Sequence, residues 1–347
     1  MKKLFVILFM LILCIHFPEK DFGTIPFLSS NADSDSGWIQ HAGMPGARYA
    51  AISITINDKA YAGLGRLRDG TYANDFYEYD PQQDLWTKKA DFPDDGRYLP
   101  TAFTINGKGY VCLGFDNSLV CRNDLWEYDP DSNKWTRKAD FPGMGRYGAC
   151  AFVIGDRAYV GTGSYNSGND YLYDIWCYNP GTDVWTSKPD FPGGPRNQAV
   201  AFAIDTKGYI GSGSQDSYTP TKDFWCYDPI YGWKQIADLP GPGLVSCSSF
   251  VMNGKGYVGL GTNLVENFAD FWSYKPALNT WNYVDPAPSE FQARTGAVSF
   301  SIDNIGYIAT GIAHMDITNT FIHGYRYSNI QMILFCRKLK CSLFMGR

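Results

Sequence analysis

The hydrophobic residues of this chain fall into short alternating runs, and turn-forming residues such as Asn, Asp, Gly and Pro separate one run from the next. Alternation with a period of two is typical of half-buried β-strands. One stretch shows the unit well, with four predicted strands: TAFTI (101–105), GKGYVCLG (107–114), DLWEY (124–128) and WTRKADFP (135–142). Asn106-Gly107 joins the first two strands, as a tight β-hairpin prefers.

The four-strand unit recurs about every 49 residues. Its opening pattern occurs six times, at 48–65, 97–114, 146–163, 196–213, 244–261 and 294–311. Its second pattern, in which Asp precedes an aromatic strand, occurs five times, at 75–86, 124–135, 174–185, 223–233 and 270–281. Four strands per repeat predict the blades of a β-propeller, because a β-solenoid has shorter rungs and a sandwich does not repeat.

Two features of the repeat carry a family resemblance. A glycine pair closes the second strand, as at Gly161 and Gly163, and a Tyr precedes a Trp by seven residues, as from Tyr128 to Trp135. In these features the chain resembles the Kelch repeat family over about residues 37–327. The resemblance implies an all-β, six-bladed Kelch-type propeller like those of the bacterial N-acetylneuraminate epimerases. The propeller domain of galactose oxidases is also of the Kelch type.

The count of six blades depends on the first and last repeats. The sixth repeat has three predicted strands ending at Tyr327, and Leu334 stands where its Trp is expected. Residues 37–45 (GWIQHAGMP) look like an isolated fourth strand, with Trp38 in the Trp position. We expect this segment to be the outer strand of the sixth blade, because closing the ring removes an exposed sheet edge.

The two ends of the chain differ from the repeats. Lys2 and Lys3 precede an apolar run over residues 4–15, which predicts a signal peptide at 1–32 and a propeller at 33–327. A lipid anchor at Cys14 and an uncleaved membrane anchor are the alternatives. All three place the body outside the cytoplasm. With the signal peptide cleaved, we expect a secreted, periplasmic or outer-surface protein without a transmembrane span. Residues 328–347 have no repeat character and are interpreted as an irregular tail, either an extension or the scar of a shifted reading frame.

Composition narrows the partners. Charged residues make up 19% of the chain, hydrophobic residues 45%, and the net charge is −5. A disordered chain is excluded, and nucleic acid is a poor partner for a chain without a basic run in its body. We expect a monomer that binds a protein or a glycan.

Because strands alternate in direction, the loops between the second and third strands share one face with the connections between blades. We call this the loop face, and the opposite face, formed by the tight turns, the hairpin face. The predicted loops are 66–73, 115–123, 164–173, 214–222, 262–269 and 312–322. Binding residues concentrate on variable loops of a rigid scaffold, so the loop face is the predicted site.

Two charged series open strands at this face. Arginines open the first strand at Arg48, Arg97, Arg146, Arg196 and Arg294, and aspartates open the third strand at Asp75, Asp124, Asp174, Asp223 and Asp270. One interpretation is a ring of guanidinium groups that binds carboxylates, with Tyr49, Tyr98 and Tyr147 stacking on sugars. The other is that each Arg pairs with an Asp and ties the blades together.

Two repeats break the series, since Leu244 replaces an Arg and His323 replaces an Asp. If the Arg of one blade pairs with the Asp of the next, these two residues are a single lost pair. We therefore predict a specialised sector at the junction of the fifth and sixth blades. Its candidate ligand-binding residues are Arg294, His314, His323 and Glu266.

The sequence offers little other chemistry. The histidines do not form a set of copper ligands like that of galactose oxidases, and no CxxC motif, nucleophile elbow or phosphate loop occurs, so no metal and no cofactor are predicted. Cys112 and Cys121 flank one loop, and a disulfide between them is an open alternative. Cys177 and Cys226 occupy the position of Glu78 and Glu127, which indicates one packing site.

Two functions remain. The first is an extracytoplasmic Kelch binding module without catalysis, which recognises a protein or glycan through the loop face. The second, implied by the resemblance to the epimerases, is a sugar-acid mutarotase with an arginine beside a catalytic carboxylate or histidine. A deep pocket with such a pair favours the enzyme, and a shallow mouth with paired arginines favours the module.

Overall fold

The computed structural model describes residues 38–165, 170–284 and 293–313, together with the backbone of 333–334. Strands dominate these residues, with one 3-10 turn at Pro276–Leu278. The strands are β1 (Gln40–His41), β2 (Arg48–Tyr49), β3 (Ile52–Ile56), β4 (Lys59–Gly63), β5 (Arg66–Leu67), β6 (Phe76–Asp80), β7 (Leu85–Lys88), β8 (Arg97–Tyr98), β9 (Thr101–Ile105), β10 (Lys108–Cys112), β11 (Phe115–Asp116), β12 (Leu125–Asp129), β13 (Lys134–Lys138), β14 (Cys150–Ile154), β15 (Arg157–Gly161), β16 (Ile175–Asn179), β17 (Val184–Lys188), β18 (Val200–Ile204), β19 (Lys207–Gly211), β20 (Phe224–Asp228), β21 (Gly232–Ile236), β22 (Ser248–Met252), β23 (Lys255–Gly259), β24 (Phe271–Lys275), β25 (Thr280–Val284), β26 (Val298–Ile302), β27 (Ile305–Ala309) and β28 (Ile333–Leu334).

Five antiparallel sheets of four strands form the blades of a propeller. Their strand orders are β3-β4-β6-β7, β9-β10-β12-β13, β14-β15-β16-β17, β18-β19-β20-β21 and β22-β23-β24-β25. Each sheet coincides with one predicted repeat, so the all-β propeller is confirmed. The predicted Asn106-Gly107 turn has φ of 52° and 74°, the left-handed conformation that tight hairpins need.

The predicted count of six complete blades is wrong for the part of the chain that the structure describes, which contains five. The sixth repeat supplies the two-stranded hairpin β26-β27, whose strand β26 lies between β22 and β3. The third strand predicted to end at Tyr327 lies outside the described residues. The N-terminal strand β1 instead pairs with β28, from the segment interpreted as an irregular tail, and β28 lies alongside β27.

The N-terminal segment contacts the first blade as an outer strand does. The indole of Trp86 donates a hydrogen bond of 3.0 Å to the carbonyl oxygen of Ala42. In the next blade Trp135 donates one of 3.0 Å to the carbonyl of Ala90, which follows the outer strand of the first blade. Residues 38–45 therefore take the place that an outer strand takes in front of each following blade.

The core lies between the blades rather than within any one of them. First strands alternate between buried and half-buried positions, second strands are buried on both sides, and fourth strands are largely exposed. The Tyr and Trp seven residues apart pack together, with ring centroids 4.8 Å apart for Tyr128 and Trp135. A Cβ at Gly256 would lie 2.2 Å from the ring of Phe202 in the preceding blade, so this glycine is what lets the blades approach.

Among the residues that the structure describes, no helix is long and apolar enough to span a membrane. The predicted signal peptide at 1–32 lies outside them, and its cleavage stays a prediction.

Candidate binding surface on the loop face

Ion pairs with buried arginines lie at the base of the loop face. In the second blade, Nη1 and Nη2 of Arg97 each donate a hydrogen bond of 2.8 Å to one oxygen of the Asp124 carboxylate. Three other blades contain the same pair, Arg48 with Asp75, Arg146 with Asp174 and Arg196 with Asp223. The pairing thus joins the first and third strands of one blade, not two neighbouring blades.

Further contacts fix each of these arginines in place. Nη1 of Arg97 also donates to the carbonyl oxygen of Leu113, between the two glycine positions that end the second strand, at 3.0 Å. The guanidinium lies 5.2 Å from the ring centroid of Phe92. On the other side, the indole of Trp126 donates to Asp124 at 2.7 Å. Burial alone would raise the pKa of Asp124, but the hydrogen bonds and charge of Arg97 hold it below its ordinary value.

These contacts give the arginine series a structural role. The five predicted ligand-binding arginines, Arg48, Arg97, Arg146, Arg196 and Arg294, are at most 2% exposed. A guanidinium that is buried and already paired does not present its donors to a ligand from solvent. The geometry therefore supports the interpretation of the series as ion pairs. Each pair joins two strands of one blade, however, and does not connect neighbouring blades.

The predicted single lost pair at the junction of the fifth and sixth repeats is wrong. Because Arg and Asp pair within one blade wherever both are described, the position that faces Leu244 is Asp270 of its own blade. Leu244 is buried, and Asp270 accepts a hydrogen bond of 3.2 Å from the Tyr283 hydroxyl. Arg294 donates to the carbonyl oxygen of Thr310 at 2.8 Å, and burial lowers its pKa to about 10. The premise that the Arg of one blade pairs with the Asp of the next is therefore not met, and His323 lies outside the described residues.

The predicted tyrosines lie in a row of aromatic rings that crosses the first three blades. Tyr49 contacts Tyr98 edge to face at 5.7 Å, and Tyr98 stacks on Tyr72 at 5.5 Å. The row continues through Phe115, which lies 5.7 Å from Tyr147. Tyr98 and Tyr147 are half-buried, and burial raises the pKa of both hydroxyls. The rings are thus occupied with one another, and stacking on sugars stays a prediction.

A closed cycle of backbone hydrogen bonds surrounds the channel mouth. The N–H of each member donates to the carbonyl of the member in the preceding repeat, at 2.9–3.2 Å, and the first donates to the last. All six residues have φ between 49° and 64°. We call this cycle the collar, and its members are Ala50, Leu99, Gly148, Gln198, Ser246 and Gly296.

The mouth is narrow and poor in reactive groups. A cavity of about 120 Å³ lies at the collar, and another of about 200 Å³ lies beneath it. Small residues from all six repeats line both, including Ala51, Ala149 and Ala297. Within the described residues, no carboxylate, histidine or arginine lines either cavity. In the part of the mouth that the structure describes, a small group would therefore fit but would meet no carboxylate, imidazole or guanidinium.

The tips of the loops, by contrast, expose apolar side chains. Leu119 is 69% exposed, Tyr218 is 86% exposed and Val265 is 74% exposed, and they lie on the loops of three different blades. The sequence analysis did not single out these residues, because one apolar residue in a polar loop carries no periodic signal. Glu266, which it did single out, follows Val265 and is also exposed.

Side-chain oxygens at the start of each loop hold these tips in place. Asp116 is fully buried and accepts hydrogen bonds of 2.9 Å from the N–H groups of Ser118 and Val120. Asp216 accepts one of 2.8 Å from the N–H of Tyr218. A backbone held in this way pays little ordering entropy on binding.

The remaining sequence predictions concern two histidines, a disulfide and a metal site. His314 and His323 lie outside the described residues, as do parts of two predicted loops. Cys112 and Cys121 are free thiols, so the structure contains no disulfide between them, and Cys112 packs instead in the core beside Leu125. Across the residues that the structure describes, no three His, Cys, Asp or Glu side chains lie together in a way that could hold a metal ion.

Comparison with known proteins agrees with this architecture. A family model for the Kelch motif matches residues 96–142 and 145–192, which are the second and third blades. The second and third blades are Kelch repeats. The other three complete blades of the propeller have the same strand order and the same Tyr–Trp contact, with ring centroids 4.9–5.0 Å apart.

The solved structure of YjhT is similar to this propeller in fold, with a TM-score of 0.68. The two chains are 18% identical, and the match covers 79% of this chain and 93% of the YjhT chain. At this identity the likeness concerns the fold alone. No curated protein matches the chain.

Proposed function

We propose that this Kelch propeller is an extracytoplasmic binding module that recognises a protein or a glycan through its loop face. The observation that carries the proposal is the contrast between buried arginines and exposed apolar tips on that face. The Arg–Asp pairs that recur in four blades are used inside the fold, whereas Leu119, Tyr218 and Val265 project into solvent from the loops. Exposed apolar and aromatic side chains on a preorganised surface suit recognition of a partner.

The location outside the cytoplasm rests on the N-terminal sequence, in which Lys2 and Lys3 precede the apolar run at 4–15. Expression of the full chain in a bacterial host tests it. The expected result is a product in the periplasm or medium whose N-terminus lies after the apolar run. A cytoplasmic product that retains Met1 would overturn this part of the proposal.

The fourth blade offers a matched pair of residues for testing the binding face. Tyr218 on the loop face and Tyr231 on the hairpin face are both 86% exposed. The protein is screened on a glycan array and against a displayed peptide library, and each hit is then measured with Tyr218→Ala and Tyr231→Ala. We expect Tyr218→Ala to weaken binding at least about 10-fold, a typical loss for an interface aromatic, and Tyr231→Ala to leave it unchanged. Hits that depend on Tyr231 but not on Tyr218, or the absence of any hit, would contradict the proposal.

The alternative is a sugar-acid mutarotase, which needs a cation for the carboxylate and an acid–base group beside it. The described cavities at the mouth supply neither, so this function ranks second. Its test is NMR exchange spectroscopy of N-acetylneuraminic acid and glucuronic acid with added protein. Acceleration of anomer exchange by catalytic amounts of protein would favour the enzyme and displace the binding module as the first function.

A further inference from the structure

A carboxylate that is buried in the first blade and half-buried in the second fills the same place on the hairpin side of both. Glu78 accepts hydrogen bonds of 2.6 Å from the Tyr61 hydroxyl and of 2.9 Å from Nζ of Lys59, and Nζ of Lys89 lies 3.0 Å away. Burial alone would raise the pKa of Glu78, but these three groups lower it to about 2. The setting is therefore built to hold a carboxylate in its charged form.

The second blade repeats this arrangement. Glu127 accepts a hydrogen bond of 2.6 Å from the Tyr110 hydroxyl. Nζ of Lys108 and Nζ of Lys138 lie 3.5 Å and 3.8 Å from its carboxylate oxygens. One tyrosine hydroxyl and two ammonium groups thus form a carboxylate site in each blade.

The fourth blade keeps the tyrosine and a lysine but lacks the carboxylate. The strand register places Tyr209 opposite Cys226, as Tyr61 is opposite Glu78. Lys207 begins its strand as Lys59 does. A cysteine is shorter than a glutamate and carries no charge at neutral pH, since burial raises the pKa of the Cys226 thiol.

The second cation of this blade is also present, although at a different position. Lys234 is paired directly with Cys226 across the sheet, where the first blade has Thr87 opposite Glu78. The fourth blade therefore has two lysines, Lys207 and Lys234, near the place of the missing carboxylate. The apolar Ile236 stands at the position of Lys89.

A cavity of about 410 Å³ opens at this place, between the fourth and fifth blades. Its apolar wall includes Ile204, Ile236, Tyr274, Pro276 and Ala277, and its polar lining includes Tyr209, Lys207, Lys234, Asp205 and Asn279. This volume falls in the range of small-molecule sites, which are mostly apolar with a few placed polar groups.

We propose that this cavity, which we call the interblade pocket, binds a small organic acid with an apolar or aromatic body. Its carboxylate would take the place that Glu78 fills in the first blade, accepting a hydrogen bond from the Tyr209 hydroxyl and facing Nζ of Lys207 and Lys234. Lys207 also lies 3.3 Å from Asp228, but Lys59 lies 3.4 Å from Asp80 while it holds Glu78. That second pairing is therefore compatible with a bound carboxylate.

Ligand-observed NMR with benzoate, phenylacetate and 4-phenylbutyrate tests the proposal, and benzamide is the uncharged control. We expect at least one acid to bind at millimolar concentration or tighter, and benzamide to bind at least about 10-fold more weakly than benzoate. Failure of all three acids, or equal binding of benzoate and benzamide, would overturn the proposal.

Substitutions locate the site. Cys226→Glu supplies the internal carboxylate of the first two blades and is expected to abolish binding, whereas Cys177→Glu, at the same position of the third blade, leaves it unchanged. Tyr209→Phe removes only the hydroxyl and should weaken binding about 3- to 10-fold, which keeps the test decisive if Cys226→Glu does not fold. Binding that survives both Cys226→Glu and Tyr209→Phe, or that Cys177→Glu also abolishes, would rule out the interblade pocket.

Discussion

The loop face carries two sets of residues with opposite surroundings. At its base, Arg97 and Asp124 are buried, bonded to each other through two hydrogen bonds and covered by aromatic rings. At the tips of the same loops, Leu119 and Tyr218 are exposed and differ from blade to blade. The comparison teaches that repetition of a charged residue in a propeller indicates a structural position, whereas the residues that vary over a fixed backbone are the candidates for recognition.

The largest expected effect comes from breaking a pair at the base. Arg97→Met leaves the carboxylate of Asp124, which is 4% exposed, without its cation. Loss of one partner of a buried pair costs about 3–5 kcal/mol, because the remaining charge is uncompensated. Chemical denaturation followed by circular dichroism measures the change in the free energy of unfolding.

The fifth blade supplies the control for this prediction. Its Arg position is Leu244, so Asp270→Asn is expected to cost about 1 kcal/mol or less, the value of an ordinary hydrogen bond. The double variant Arg97→Met with Asp124→Asn should be more stable than Arg97→Met alone, since it removes the orphaned charge. Equal losses for Arg97→Met and Asp270→Asn would contradict the structural role of the pairs.

A smaller effect is expected in acid. The folded-state pKa of Glu78 is about 2, below its ordinary value of 4.5, so the folded state binds its proton less readily than the unfolded state. The stabilisation is fully present above pH 4.5 and is lost as the pH falls toward 2. Glu78→Gln should therefore flatten the dependence of the unfolding free energy on pH in this window, as measured by urea denaturation at several pH values.

The exposed Glu266 is the comparison for this measurement. Glu266→Gln should leave the shape of the acid profile as it is in the unaltered protein. A profile that Glu78→Gln leaves equally unchanged would show that the buried carboxylate does not contribute to acid stability.

The smallest effect on stability is expected at the tips. Leu119→Ala, Tyr218→Ala and Val265→Ala remove side chains that are at least 69% exposed, and surface changes of this kind usually alter the free energy of unfolding by about 0.5 kcal/mol or less. Thermal unfolding measures this directly. A loss of more than 2 kcal/mol at any tip, well outside that range, would show that the tips are part of the packed structure. The tips and the base would then not differ in their contribution to stability.

Much of the fold was predictable because the same four-strand sequence pattern recurs along the chain. The repeats gave five blades whose strands coincide with the predicted ones, and the Asn106-Gly107 turn has the predicted conformation. The blade count differs at the last repeat, because the predicted third strand that ends at Tyr327 lies outside the described residues. The pairing of β1 with β28 joins segments at opposite ends of the chain. A local sequence pattern does not predict a contact between segments so far apart.

The candidate site was harder to predict. The sequence shows that Arg97 and Asp124 recur together but not whether they pair within a blade or between blades, since both arrangements give the same spacing. The hypothesis about Leu244 and His323 required pairing between blades, whereas the described pairs form within a blade. The collar was also missed, because it depends on backbone conformation. The glycines at Gly148 and Gly296 were the available signal, since they share a position with Ala50 and mark a left-handed backbone.

The collar has a consequence for how such a protein changes over time. Its six members use only main-chain atoms to close the cycle, and their side chains are as different as those of Leu99, Gln198 and Gly296. The main-chain atoms of these residues therefore close the ring, whereas their side chains set the chemical character of the mouth. Substitution of one collar side chain can alter what the channel entrance offers to a ligand while the cycle of peptide groups that joins the repeats stays intact.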